Sequence, residues 1–121
     1  MKNFKIGKEI NRILRESNVL KVGNKIFPLV GNANTTFPFL VYRRIGYQPR
    51  SNKDYTGEVV TMEINIASEK YEESVDIANS VADILNNCSS SLIEKGKLTN
   101  VSEMYLQDTY IQNLTFEFEL T

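Results

Sequence analysis

A chain of 121 residues, 41% hydrophobic and 24% charged, is long enough for one buried core and ordinary in composition. That excludes global disorder and favours a single domain over residues 1–121. One cysteine, Cys88, excludes an intrachain disulfide and a thiolate-rich zinc site and suits a reducing compartment. The absence of histidine removes the commonest general base and the commonest metal ligand, so no cofactor or metal is expected. The net charge of −1 hides a split: residues 1–53 carry eleven Lys and Arg against Glu9 and Glu16, a net of +9. Residues 54–121 carry three Lys against thirteen acidic residues, a net of −10. Such asymmetry points to charged partners or to complementary packing.

Ile6, Ile10, Ile13 and Leu14 recur at helical spacing, which predicts a first helix over Asn3 to Glu16. Met1 to Ile10 mixes charged and apolar residues too closely for a signal peptide, and no apolar run reaches the ~18 residues of a membrane span. Gly23-Asn24 signals a turn and Lys25 to Val30 a short strand, with Pro28 favouring an edge. Phe39 to Tyr47 reads as a strand with Phe39, Val41, Ile45 and Tyr47 on one face. Leu40, Tyr42 and Arg44 take the other, so neither face is purely polar. Gln48 to Gly57 is polar and joins this strand to the next. Val60, Met62, Ile64 and Ile66 alternate with Thr61, Glu63 and Asn65, a strand with one apolar and one polar face.

Ser68 is placed to cap a second helix, Tyr71 to Cys88, with Glu69, Glu72 and Glu73 near its start and Val75, Ala78, Ala82 and Leu85 as its apolar stripe. Val101 to Tyr110 predicts a strand of weaker alternation, turned at Gln112-Asn113. Leu114, Phe116, Phe118 and Leu120 then alternate with Thr115, Glu117 and Glu119. A last strand this apolar needs a neighbour, because an edge of Phe and Leu invites pairing with other chains. The order α-β-β-β-α-β-β predicts an α+β domain of two layers, a mainly antiparallel sheet with two helices on one face.

Glu117 and Glu119 point the same way, roughly 7 Å apart by strand rise, but they occupy the polar phase of a strand and read as solvated surface. Cys88 has no basic residue nearby in sequence and sits at the helix end away from the activating dipole, so it reads as structural. No phosphate-binding glycine loop is present. Arg43, Arg44, Arg50 and Lys53, interleaved with Tyr42, Tyr47 and Tyr55, form a basic and aromatic cluster. Those residue types suit a protein interface or a nucleic-acid contact. Phe116 and Phe118 join Arg43, Arg44, Arg50, Lys53 and Tyr55 as candidate interface residues.

The whole pattern resembles the tail-completion, or tail-terminator, proteins of long-tailed phages and prophages. The resemblance is carried by the first helix, by Ile26-Phe27-Pro28 closing a short strand, and by Phe37-Pro38-Phe39-Leu40-Val41-Tyr42 opening a longer one. The Gln48–Gly57 tip, the Val60–Ile66 strand, the Ala78, Val81, Leu85 stripe and the final Leu114-Thr115-Phe116-Glu117-Phe118 complete it. It implies a non-enzymatic structural protein that forms a ring, typically a hexamer, caps the tail tube and helps join tail to head. Its implied partners are itself, the tail tube and head-connector proteins, with DNA at most passing through the ring and no membrane. Its implied places are the host cytoplasm during assembly and the virion tail. The charge split offers complementary patches for such a ring, and the Gln48–Gly57 tip is expected to touch a neighbour or the tube. The residues themselves leave two other classes open: a small intracellular binding module for a peptide or nucleic acid, and an enzyme subunit whose site lies between chains.

Overall fold

The computed structural model describes residues 5–17, 22, 25–28, 36–51 and 56–121. The elements run α1 (Ile6–Glu16), β1 (Ile26–Pro28), β2 (Phe39–Ser51), β3 (Thr56–Ser68), α2 (Tyr71–Leu85), β4 (Ile93–Leu106) and β5 (Thr109–Leu120). They form a five-stranded sheet in the order β1-β2-β3-β5-β4, with β1 parallel to β2 and every other pair antiparallel. This is the expected α+β fold with the expected element order.

Both helices lie on one face of the sheet. Ile6, Ile10 and Leu14 of α1 and Ile77, Val81 and Leu85 of α2 close over Val60, Met62, Ile64 and Ile66 of β3 and Leu114, Phe116, Phe118 and Leu120 of β5 in one apolar cluster. Fully burying side chains of this size contributes about 1.5–3 kcal/mol each, so the period-two strands and the helical stripes specify the same core. The stripe of α2 is rotated from the expected one. It is centred on Ser74, Ile77, Ala78, Val81 and Leu85, because Ile77 has more apolar surface to hide than Val75 or Ala82.

Phe116 and Phe118 are 0% exposed. Their strand is no edge: β5 lies between β3 and β4 and is paired on both sides. The apolar last strand therefore finds its neighbour within the chain, and the two phenylalanines are core residues rather than interface residues.

Three other expectations shift. The polar stretch after Tyr47 does not break the strands, because β2 and β3 stay paired out to Ser51 and Thr56. A bulge between Arg44 and Gly46 reverses the phase of β2. Leu40 and Tyr42 face the core before it, Tyr47 packs against the core after it, and Ile45 is left exposed at the bulge. Phe39 and Tyr47 therefore do not share a face. Finally, the last hairpin turns at Gln107-Asp108, both at positive φ (51° and 60°), a mirror-image turn suited to strand twist. Gln112 and Asn113 sit inside β5, and β4 begins at Ile93, eight residues before the expected start.

The end of α2 is tied to β4 by backbone. Asn86 closes the helix, and Asn87 takes the left-handed conformation (φ 66°) that short polar side chains tolerate. The Asn87 N–H donates to the Gly96 carbonyl (2.8 Å) and the Gly96 N–H to the Cys88 carbonyl (3.0 Å). The Asn86 Oδ1 accepts from the Leu98 N–H at 3.0 Å. Ser68 does not cap α2 directly. Its buried Oγ accepts from the Lys70 N–H (3.0 Å) and donates to Glu73 (2.6 Å), shaping the turn that enters the helix.

Glu9 fastens α1 to the segment ahead of β4. Its carboxylate accepts from Arg12 Nε at 2.7 Å and from Ser90 Oγ at 2.7 Å. The Arg12 hydrogen bond, then the Ser90 one, holds the Glu9 carboxyl below its ordinary 4.5. A carboxylate whose pKa is depressed on folding stabilises the fold above its unfolded value, and the contribution is lost as pH falls through the lower folded value. Glu9→Gln is therefore expected to lower the urea midpoint at about pH 7 and to leave it close to that of the parent near about pH 3. Equal differences at both pH values would count against this assignment.

Candidate assembly surfaces

The open face of the sheet carries Phe39 and Val41 of β2, Glu63, Asn65 and Ala67 of β3, and Ile111, Asn113 and Thr115 of β5. Together with β4 these line a shallow groove of about 630 Å³. Arg43 crosses this face to Glu63 (Nε–Oε1, 3.0 Å), and Asn65 Nδ2 donates to the same oxygen at 3.3 Å. Half-exposed ion pairs of this kind are worth about 0–1 kcal/mol. Among the described residues, no group of three or more His, Cys, Asp or Glu could hold a metal ion.

The structure separates the candidate interface residues. Arg43 and Arg44 are exposed on β2 but, as neighbours in a strand, they project to opposite faces. Arg50 lies on the last turnward stretch of β2, and Lys53 and Tyr55 lie outside the described residues, as does the side chain of Arg50. Two of the cluster's tyrosines turn toward the core. Tyr42 is buried, with its hydroxyl accepting from Asn11 Nδ2 at 3.1 Å beneath Gly7, where an added Cβ would stand 3.0 Å from the ring. Tyr47 packs against the core and donates to Glu58 at 3.0 Å. Burial, then Glu58, raises its pKa. Cys88 is half-buried, and its pKa is raised chiefly by desolvation, so it fits the structural role expected of it. Glu117 and Glu119 stand opposite Lys97 and Lys95 on β4, with Glu119 exposed.

The most exposed apolar surface lies at β4, which the sequence pattern did not mark. Val101, Met104, Tyr105 and Leu106 are 50–58% exposed, and Tyr71, at the start of α2, is 46% exposed. Tyr71 and Tyr105 both pack on Tyr110, with ring centroids at 5.5 and 4.7 Å. The Tyr71 hydroxyl donates to the Glu103 carboxylate (3.0 Å), which also accepts from the buried Gln112 Nε2 (2.9 Å). Gln112 in turn reaches Ser74 Oγ at 3.2 Å. The Glu103 carboxylate raises the Tyr71 pKa and Asp108 raises that of Tyr105, so both phenols stay neutral donors through the physiological range.

Among the described residues, basic and acidic side chains gather in different places. A groove of about 570 Å³ beside α1 is lined by Lys5, Lys8, Arg12 and Arg15 with Glu16, Pro28 and Tyr42, next to the β1–β2 edge. At the other edge, Glu103 and Asp108 on the last hairpin stand near the acidic start of α2, Glu72, Glu73 and Asp76. Negative residues there also suit the positive end of the helix dipole.

No protein-family model and no curated protein matches the sequence. Solved structures do share the fold. A chain in the virion of a native gene transfer agent (GTA) particle superposes with a TM-score of 0.78 at 16% identity, over 92% of this chain and 90% of that one. A second solved chain superposes with a TM-score of 0.63 at 10% identity, over 100% of this chain and 96% of that one.

Proposed function

We propose that this chain is a structural component of a phage-like particle, a ring-forming subunit that caps the tail tube and helps join tail to head. The observation that carries the reading is the near end-to-end likeness in fold to a chain of a gene transfer agent virion. Because that likeness spans about nine-tenths of both chains, it concerns the whole fold rather than a shared fragment. Two features of the surface support it. A basic groove beside α1 and an acidic start of α2 lie apart on the surface, which suits the head-to-tail contacts from which cyclic assemblies are built. Among the described residues, four of the six exposed large hydrophobics lie on one hairpin, which suits a contact.

In this reading the partners are further copies of the chain, the tail tube and the head connector, and DNA passes through the ring without specific recognition. The protein acts in the host cytoplasm during assembly and in the virion tail afterwards, and it performs no chemistry. The β2–β3 tip, with Arg50, Lys53 and Tyr55, meets a neighbouring subunit or the tube. Electron microscopy of the purified protein, alone and with its tail-tube protein, tests the reading. Closed rings and tubes capped at one end are expected; tubes left uncapped and growing, with the protein remaining monomeric, would overturn it.

A further inference from the structure

The backbone of β4 locates a contact surface. In an antiparallel pair, residues alternate between turning their N–H and C=O toward the partner strand and away from it. The tight turn closes at Leu106 opposite Thr109, so Leu106, Met104, Ser102 and Asn100 bond to β5, whereas Tyr105, Glu103 and Val101 turn theirs outward. The same alternation, carried past the irregularity between Leu98 and Asn100, turns Leu98 and Gly96 outward. Their outward groups are those met by Asn86, Asn87 and Cys88. The edge of β4 is therefore closed at Gly96 and Leu98. Among the described residues, nothing bonds to the outward backbone of Val101, Glu103 and Tyr105.

That stretch coincides with the exposed side chains of Val101, Met104, Tyr105 and Leu106. Natural sheets protect such an edge with charged side chains, proline or a covering segment; Val101 to Leu106 has Glu103 as its one charge, no proline and, among the described residues, no covering segment. Of the large hydrophobics exposed among the described residues, the one outside this hairpin and the adjoining Tyr71 is Ile45. It stands at the bulge of β2, toward the opposite edge of the sheet, between exposed Arg43 and Arg44 on one side and Gly46 on the other. The Val101–Leu106 stretch is apolar and acidic, with Lys95 and Lys97 farther along β4, and the Ile45 region is apolar and basic.

We propose that the Val101–Leu106 edge of one copy docks on the Ile45 region of β2 in a second copy, head to tail. Glu103 and Asp108 then come near Arg43 and Arg44, which precede Ile45 in the strand. The two patches differ, so each copy keeps one of each free after a single contact, and repetition closes a ring when the rotation allows. This inference rests on the ring-forming reading above and assigns its contact.

Two variants test it: Val101→Lys, which blunts the β4 edge, and Ile45→Glu, which places a carboxylate at the bulge. Leu106→Lys repeats the first block if Val101→Lys folds poorly by circular dichroism. Sedimentation of the parent protein is expected to show a ring-sized species. Each variant alone is expected to self-associate at least about tenfold more weakly and to sediment as monomer. An equimolar mixture of the two retains one intact pair of patches and is expected to give a heterodimer and nothing larger. Full assembly by both variants would overturn the contact and leave the ring reading standing. Loss with Val101→Lys but not with Ile45→Glu would replace the head-to-tail contact by a two-fold pairing of β4 edges. A parent protein that stays monomeric at every concentration, with and without its tail tube, would overturn both.

Discussion

Gly96→Ala is expected to cost the fold about 3 kcal/mol, the upper part of the range for forcing an extra carbon into a packed site. A Cβ at this position would stand 2.5 Å from the Leu85 carbonyl oxygen, 2.9 Å from Cys88 Sγ and 2.9 Å from Phe118 Cε1. The thiol can rotate away, but the carbonyl belongs to the last turn of α2 and cannot move without the helix. Nor can the strand retreat, because the Gly96 N–H and C=O are both bonded to the segment that leaves the helix. Strain must therefore appear in the helix end, the loop or the strand pairing. Urea unfolding reads the effect as a lower midpoint at unchanged slope. A loss below about 1 kcal/mol would mean that the segment after α2 yields freely and that its two backbone bonds add little. Domains of this size are stable by about 5–15 kcal/mol, so the expected loss is a large share of the whole.

Phe118→Ala is expected to cost about 4 kcal/mol, within the usual 3–5 for deleting a buried phenylalanine. The side chain is 0% exposed and stacks on Phe116 with centroids 5.8 Å apart. Its strand is held on both sides, opposite Val60 on β3 and Gly96 on β4. The surrounding sheet cannot collapse into the space without breaking one of those pairings, which is why the cost should fall at the full cavity value. Thermal unfolding should show a fall of roughly 12–20 °C, at about 3–5 °C per kcal/mol for a chain of this size. Phe118→Leu keeps much of the volume and should lose less than about 2 kcal/mol. The two sites also touch. Removing the ring relieves one of the clashes at position 96, so the double variant Gly96→Ala, Phe118→Ala should lose less than the sum of the single losses. Strict additivity would indicate that the Leu85 carbonyl alone carries the strain at Gly96.

The elements legible in the sequence were those whose side chains alternate without interruption. Val60 to Ile66 and Leu114 to Leu120 announced both their strand character and their buried face, and Ile6, Ile10 and Leu14 announced a helix. Elsewhere the alternation is interrupted or carries no signal. At Ile45 one extra residue reverses the phase of β2, and nothing in Tyr42-Arg43-Arg44-Ile45-Gly46 marks the slip except the glycine after it. At Gln107-Asp108 the turn uses residues that seldom take positive φ in succession, so no Asn-Gly or Asp-Gly signal was there to find. The candidate contact on β4 stayed hidden for a related reason. Its second half is exposed nearly throughout, so its residues have no buried phase to reveal them. The basic residues of β2 were legible as a cluster by proximity in sequence, but strand geometry divides Arg43 from Arg44, and the core claims Tyr42 and Tyr47.

The cover that Asn86, Asn87 and Cys88 place on β4 has a consequence for solubility. An edge open along its full fourteen residues would accept almost any extended chain in a crowded cell, and would extend fibres as readily as rings. Among the described residues, closing it at Gly96 and Leu98 leaves three outward residues, too few hydrogen bonds to hold a stranger by backbone alone, at about 1 kcal/mol each. A visitor must also match the side chains beside them to stay. The helix end thus acts as a length filter, turning an indiscriminate edge into one that rewards only a fitting surface.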